Sequence, residues 1–471
     1  MKRALIFLLI LAIVQTTALS QKKKKKYEPP LVAEPANLDR NAAAAQPDPQ
    51  SVADLKWFEV FGDEKLQALV REALTSNYDA RASVSRIEAA RANLGIVRSD
   101  QFPTIGASGG AVFEGRSRDG SVEIPSAASK SRNFGSILLN LFTFELDIWG
   151  RKKKATEAAR ADLAGTEEER RVVLTTIVAD VATSYYNLRE LDFELEIAKR
   201  TLDSRRESLR IINLRQQRGV SNMLEVRQAE ELVYNATETI PALEKSIEQQ
   251  ENFICVLIGK NPGPILRGDP LTAQVVPPDV PPGLSSELLV RRPDIRAAER
   301  HLYAADARVD VARKAYLPTI SLTGFFGFES AQLSSLFNPS RSVWGFIPEI
   351  TQPIFTGGRI KSNVQFTKAE RDLLIVNYEK TIQTAFREVA DSLIEYKKVK
   401  EVRSQRELLA ETLRDRSRLS YLRYREGVAN LLEALDADRE LFDAELSLAQ
   451  VRRDELLSVV KVYKSLGGGW Q

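Results

Sequence analysis

Only one cysteine, Cys255, and one histidine, His301, occur in 471 residues. The first count excludes an intrachain disulfide framework and any multi-cysteine metal centre. The second removes most metal and acid–base constellations, because these rely heavily on imidazole. No nucleophile–base pair and no nucleotide-binding pattern can be assembled, so the chain is expected not to be an enzyme and to need no cofactor. A charge bias of one sign is also lacking. The formal net charge is +3 with 28% charged residues, which leaves no electrostatic footprint for a nucleic-acid partner. Proline and glycine are too scarce for a largely disordered chain. The one sustained apolar run is N-terminal: "MKRALIFLLILAIVQTTALS" has a basic start, apolar residues from Ala4 to Val14, and small residues at Ala18 and Ser20. That run is too short to span a bilayer and has the layout of a signal peptide over 1–20, cleaved before Gln21. "KKKKK" (Lys22–Lys26) then opens a Pro- and Ala-rich tail within 21–56, read as a solvated spacer.

What is present is an internal duplication. "LRQQRGVSNMLEVRQAEELV" (Leu214–Val233) aligns without a gap with "LRYREGVANLLEALDADREL" (Leu422–Leu441) at an offset of 208. "FPTIGASGGAVFE" (Phe102–Glu114) matches "LPTISLTGFFGFE" (Leu317–Glu329), each preceded by an Ala/Arg-rich helical stretch. Gly150 to Gly219 and Gly358 to Gly427 both span 69 positions. Solenoid repeats are much shorter, so this is one fold duplicated once. The halves are 57–260 and 291–471, joined by a linker over 261–290.

The arms after Gly150 and Gly358 are predicted helical. No proline falls between Ser126 and Ile240, or between Ile354 and the C-terminus. Leu174, Val181, Leu188, Leu195, Leu202 and Leu209 recur every seven positions. Ile177, Leu191, Ala198 and Ile212 form a second seam, broken at Ser184 and Arg205. The returning helix repeats through Val428, Leu435, Phe442, Ala449, Leu456 and Tyr463. A sustained heptad implies coiled-coil packing. An unbroken arm of this size runs about 100 Å, with Pro241 expected to kink the first return. "RGVSN" and "EGVAN" read as hairpin tips, where Gly ends one helix and Ser or Asn caps the next. The segments about 102–148 and 317–355 read instead as β-hairpins, with Ile320, Leu322, Phe326 and Phe328 set against Thr319, Ser321 and Thr323. Four strands cannot close a barrel, and lipid forbids an open edge. A membrane barrel must therefore be shared between chains, unless the sheet is soluble and packs on the helices.

These motifs resemble the TolC/OprM family of outer-membrane efflux factors. The resemblance runs from about Trp57 to the C-terminus through "WFEVFGDEKLQALVREAL", "ELDIWGR", "RRPDIRAAE", "YLPTISLTG", "PIFTGGR", "YREGVANLLEALDADRELF" and "YKSLGGGW". It implies a homotrimer with a 12-stranded transmembrane β-barrel and a twelve-helix periplasmic tunnel. It also implies outer-membrane lipid around the barrel, a periplasmic adaptor, and an inner-membrane transporter of the RND type. The adaptor-docking tips fall on Arg218, Gly219 and Val220, and on Glu426, Gly427 and Val428. The aperture falls on Leu432 and Asp436, four apart and so on one helix face, with Leu224 and Gln228 at those places in the first half. Many relatives begin the mature chain with a lipidated cysteine. "TTALSQKK" has none, so no acyl anchor is expected here.

The expected function is passive export of drugs or other small molecules. The same duct could serve type I protein secretion. Outside this class, the alternatives are a soluble periplasmic coiled-coil scaffold and, disfavoured by the missing catalytic set, an exported hydrolase. "GRKKK" (Gly150–Lys154) reads as a solvated helix start, and "GGG" (Gly467–Gly469) lacks the lysine and strand of a phosphate loop. "NAT" at Asn235 sits on a predicted helix, and His301 has no partner in sequence to complete a metal site.

Overall fold

In the computed structural model the described residues are 30, 57–115, 131–274 and 291–468. The expected signal peptide, the lysine run and most of the tail lie outside them, as do 275–290 of the linker and the last three residues. Short helices α1 (Trp57–Val60) and α2 (Glu64–Ser76) lead into α3 (Tyr78–Ser99). Strands β1 (Ile105–Gly115) and β2 (Ser131–Leu146) follow, then α4 (Arg151–Gln217) and α5 (Met223–Leu257). The second half repeats this order with α6 (Pro293–Lys314), β3 (Thr319–Ser330), β4 (Ser342–Thr351), α7 (Arg359–Arg425) and α8 (Leu431–Ser465).

The duplication is kept residue by residue. Helices α4 and α7 are both 67 residues long, and α5 and α8 are both 35. Each return helix is therefore only about half as long as its outgoing partner. The remainder is supplied by the 22-residue helices α3 and α6. Asn77, the N-cap of α3, donates its Nδ2 to the Leu257 carbonyl at the end of α5, 2.8 Å away. Arg292, which precedes α6, donates Nη1 to the Ser465 carbonyl at the end of α8, 2.9 Å away. Two short helices thus stack end to end beside each long one. Pro241 lies inside α5 without ending it.

The "LDIWGR" motif makes the corner from sheet to helix. Asp147 accepts from the Lys152 and Lys153 amides at 3.0 and 2.7 Å, filling the cap that Gly150 cannot provide. Trp149 donates Nε1 to the Pro318 carbonyl, which ties the corner to the start of the second hairpin at 2.6 Å.

The four strands form one antiparallel sheet in the order β1-β2-β3-β4. Residues paired across strands share a face, so the register sorts the side chains. Ile105, Leu139, Phe326 and Trp344 fall on one side, together with Ile137, Ile320, Phe346 and Ile350. Ser108, Asn140, Ser321, Thr323 and Glu349 fall on the other, interspersed with Leu138, Phe325 and Ile347. Asn140 donates to Ser108 Oγ at 2.8 Å on that mixed face. The apolar face is bare; Trp344 is 75% exposed. A bulge between Leu141 and Phe144 shifts the register of β2 against β3. Among the described residues no helix is long and apolar enough to cross a membrane.

A polar node holds the N-terminal helices to the long bundle. Buried Asp63 caps α2 by accepting from the Lys65 and Leu66 amides at 2.8 and 3.2 Å. Tyr185 of α4, itself fully buried, donates its hydroxyl to Asp63 Oδ2 at 2.7 Å. Gln274 and the Asp269 amide donate to the same oxygen at 2.9 and 3.0 Å. Burial pushes the Asp63 carboxyl up, but the bonds from Gln274, Tyr185, Leu66 and Lys65 outweigh it and hold the pKa below the usual aspartate value. A depressed folded pKa contributes stability above the unfolded value, lost as pH falls through the folded one. Asp63→Asn is expected to lower unfolding free energy by about 1–3 kcal/mol at neutral pH. The gap from the parent should narrow below about pH 4. Thermal melts of both proteins across that range check this; a gap unchanged by acid refutes the assignment.

Candidate docking tips and aperture

Both tips close with the same hydrogen bonds. At the end of α4, the Gly219 amide donates to the Gln216 carbonyl at 2.9 Å and the Val220 amide to the Arg215 carbonyl at 2.9 Å. At the end of α7, Gly427 donates to Tyr424 at 3.1 Å and Val428 to Arg423 at 2.9 Å. This is the Schellman arrangement, which needs a left-handed residue after the helix. Gly219 and Gly427 supply it with φ of 72° and 75°. Asn222 and Asn430 then cap the return helices, each accepting at 3.0 Å from the amide of Glu225 or Glu433. The repeated Gly-Val-Ser/Ala-Asn is thus a stop, a two-residue bridge and a start.

Val220 and Val428 project from these turns, 64% and 69% exposed. The sequence pattern placed Val428 as the first heptad residue of the return. Instead it lies in the turn, and α8 begins at Leu431, because the cap at Asn430 delays the helix. Arg218 and Glu426 are exposed beside them, and no atom lies within 4 Å of where a Cβ would sit on either glycine.

The two hairpins share one core just behind the tips. Ile212, Val226, Ala229 and Leu232 from the first half pack with Tyr424, Leu431, Ala434 and Leu435 from the second. Arg215 lies 4.8 Å over the Tyr424 ring. Leu431, Ala434, Leu435 and Asp438 turn one face of α8 into this core, and Leu432 and Asp436 lie off it. Leu432 is 49% exposed. Asp436 is half-exposed and pairs only loosely with Arg439, 3.2 Å away on the next turn. The structure thus brings Leu432 and Asp436 together on one free helix face. In the first half Leu224 is exposed as well, beside half-buried Gln228.

Sequence reading missed the charged residues inside the bundle. Arg205, taken for a break in the seam, is buried within it and donates Nε to Asp438 of α8 at 2.7 Å. Its Nη1 donates to the Leu232 carbonyl at 3.1 Å, and the guanidinium sits 4.9 Å over the Phe442 ring. A charged residue at a seam position was itself the signal, since burial demands a partner. Ser184, the other apparent break, is buried too. His301 lies between Asp162 and Glu169 at 3.5 and 3.1 Å. The bond to Asp162 raises its pKa, burial opposes this, and Glu169 adds to the rise. Among the described residues no cluster of ligands suited to a metal occurs.

This geometry recurs in proteins of known kind. The chain is 36% identical over 436 residues to the solvent efflux pump outer membrane protein SrpC of Pseudomonas putida, covering 91% of each. It is 34% identical over 454 residues to the outer membrane protein OprJ of Pseudomonas aeruginosa, covering 94% of this chain and 92% of the relative. It superposes on the outer-membrane channel OprN with a TM-score of 0.87 and 29% identity, over 94% of this chain and 98% of that one. The open state of the MtrE channel of Neisseria gonorrhoeae gives a TM-score of 0.85 and 31% identity, over 95% and 98%. Residues 69–260 and 284–468 match the outer membrane efflux protein family. Twin capped hairpins, a sheet with one apolar face, and these matches lead to one conclusion: the chain belongs to that family and resides in the outer membrane.

Proposed function

We propose that three copies assemble into a passive exit duct, in which their four-stranded sheets close one twelve-stranded barrel and their helices form the tunnel below it. The carrying observation is the sheet. It is apolar on one face and mixed on the other, which holds its hydroxyl and amide side chains, and β1 and β4 each have a strand neighbour on one side only among the described residues. Hydrocarbon tolerates the apolar face but not the edges. A neighbouring copy pairing β4 with β1 satisfies both, and turns Ser108, Asn140 and Thr323 into the lumen. Extracted in detergent, the protein is expected to run as a trimer and to give discrete single-channel currents in a planar bilayer. A monomer soluble without detergent would sink the proposal.

The cargo of such a duct is small molecules, as the solvent- and antibiotic-pump names of relatives support. Without an energy source of its own, the duct is loaded by a periplasmic adaptor and an inner-membrane transporter of the RND type. The adaptor meets the tips, where bare valines and side-chain-free glycines let another helical hairpin mesh end to end. Gly427→Trp, and equally Gly219→Trp, should abolish export in cells holding the cognate adaptor while leaving the trimer intact. Normal export by both variants removes the docking role from the tips.

Leu432 and Asp436 form the aperture. Around a threefold axis Asp436 appears three times, and like carboxylates on a narrow opening attract cations. Leu432, one turn away, adds an apolar ring that resists wetting. Leu432→Ala with Asp436→Ala should raise resting conductance several-fold, and Asp436→Asn alone should reduce cation preference. Single-channel recording under a salt gradient reads both; parental values in assembled trimers would place the gate elsewhere.

A further inference from the structure

The cations at the sheet-to-helix corners have no part in the duct as described so far. Segments 98–105, 145–154, 313–320 and 349–361 surround the foot of the sheet, where four helices join it. They hold nine lysines and arginines against four carboxylates, an excess of five where the whole chain carries +3. The duplication repeats the pattern. Arg98 and Arg313 hold equivalent places before β1 and β3, and Lys153 and Lys361 each follow a corner glycine by three positions.

Pairing accounts for only part of this cluster. Glu145 holds Arg151 at 2.5 Å and Glu157 holds Lys154 at 2.9 Å. Asp147 is engaged by the amides that start α4. Lys314 donates to the Trp149 and Gly150 carbonyls at 2.7 and 3.1 Å, and Arg313 lies 3.7 Å from Asp310. Arg98, Lys153, Arg359 and Lys361 are exposed and pair with no carboxylate among the described residues. Nor does helix formation call for them: α4 and α7 have no acidic residue in the first turn, and cations there oppose the field of the helix amides.

Lys152 shows which side of the sheet this charge meets. Its Nζ donates to the Asp100 carbonyl at 2.7 Å and lies 5.5 Å over the Phe144 ring. Phe144 pairs with Leu322 and so stands on the apolar face. The ammonium therefore sits where the bare apolar band ends. Phe102, Tyr316 and Phe355, each within four residues of a strand end, are exposed as well. Aromatic rings beside lysines are what a membrane–water interface selects.

We propose that the corners of the assembled barrel bind the headgroups of anionic phospholipids in the periplasmic leaflet. Arg98, Lys152 and Lys153 receive the phosphate at one corner, and Arg313, Arg359 and Lys361 receive it at the other. The acyl chains lie along the apolar face above. Charge selects the lipid, because a zwitterionic headgroup has no net charge to offset the local excess.

The inference rests on the reading that the apolar face meets lipid. Native mass spectrometry of the full-length trimer in detergent tests it, with phosphatidylglycerol, phosphatidylethanolamine of the same chains, or inorganic phosphate added. Phosphatidylglycerol should bind at least tenfold more tightly than phosphatidylethanolamine, and excess inorganic phosphate should not displace it. Each cation removed should weaken it about fivefold. Lys152→Gln with Lys153→Gln and Lys361→Gln should thus cut phosphatidylglycerol affinity more than tenfold and leave phosphatidylethanolamine unchanged. Arginine at the same three positions should restore it, which separates charge from a structural effect. Arg341→Gln, at the far end of the sheet, should match the parent. Equal binding of the two lipids, parental affinity in the triple Gln variant, or no rescue by arginine overturns the proposal. Displacement by inorganic phosphate does so too, since it marks a free-anion site. A parent that is monomeric without detergent overturns the reading beneath instead.

Discussion

Hydrogen bonding of the backbone in hydrocarbon is the constraint from which the rest follows. A sheet of four strands with one apolar face can enter lipid only if its outer edges are paired, because an exposed amide or carbonyl costs several kcal/mol there. One chain cannot meet that demand, so in the trimer proposed above assembly is a condition of insertion rather than an addition to a finished fold. The consequence reaches far from the sheet. In the proposed trimer the two halves of each chain must span equal lengths below the barrel, and their matched 67- and 35-residue helices do so.

Much of this was legible in the residues. Equal glycine spacing, the heptads and the alternating strands gave the hairpins and the sheet, because each rests on a period that backbone geometry imposes. The tips were readable because Gly and Asn have local jobs at helix ends. Contacts between halves were not readable. Arg205 looked like a flaw in the seam, and its partner lies 233 residues further on. Asp63 carries no periodic signal, yet it holds Tyr185, Gln274 and the Asp269 amide. Nor does any local period record that α3 and α6 continue the return columns from a distant part of the chain.

Polarity within the bundle has a distinct role from apolar packing. The shared core behind the tips, built on Leu431, Leu435 and Ile212, supplies cohesion with little preference for register. Buried ion pairs add modest stability for their number, because desolvation offsets much of their attraction. Their contribution is alignment. The same helix, α8, carries Asp438 into the interior and Asp436 onto the free face two positions away, so the inner pair sets the angle at which the outer carboxylate is presented.

The end-to-end joints at Asn77 and Arg292 carry a mechanical consequence. A continuous helix transmits torque along its axis, whereas two helices meeting through a side-chain bond can swivel about the joint. Of the helices in each half, only α4 and α7 run unbroken from the sheet corner to the tip. Twist applied at a tip therefore reaches the membrane end through these two struts alone, and the jointed column beside each acts as a bearing against which the strut turns.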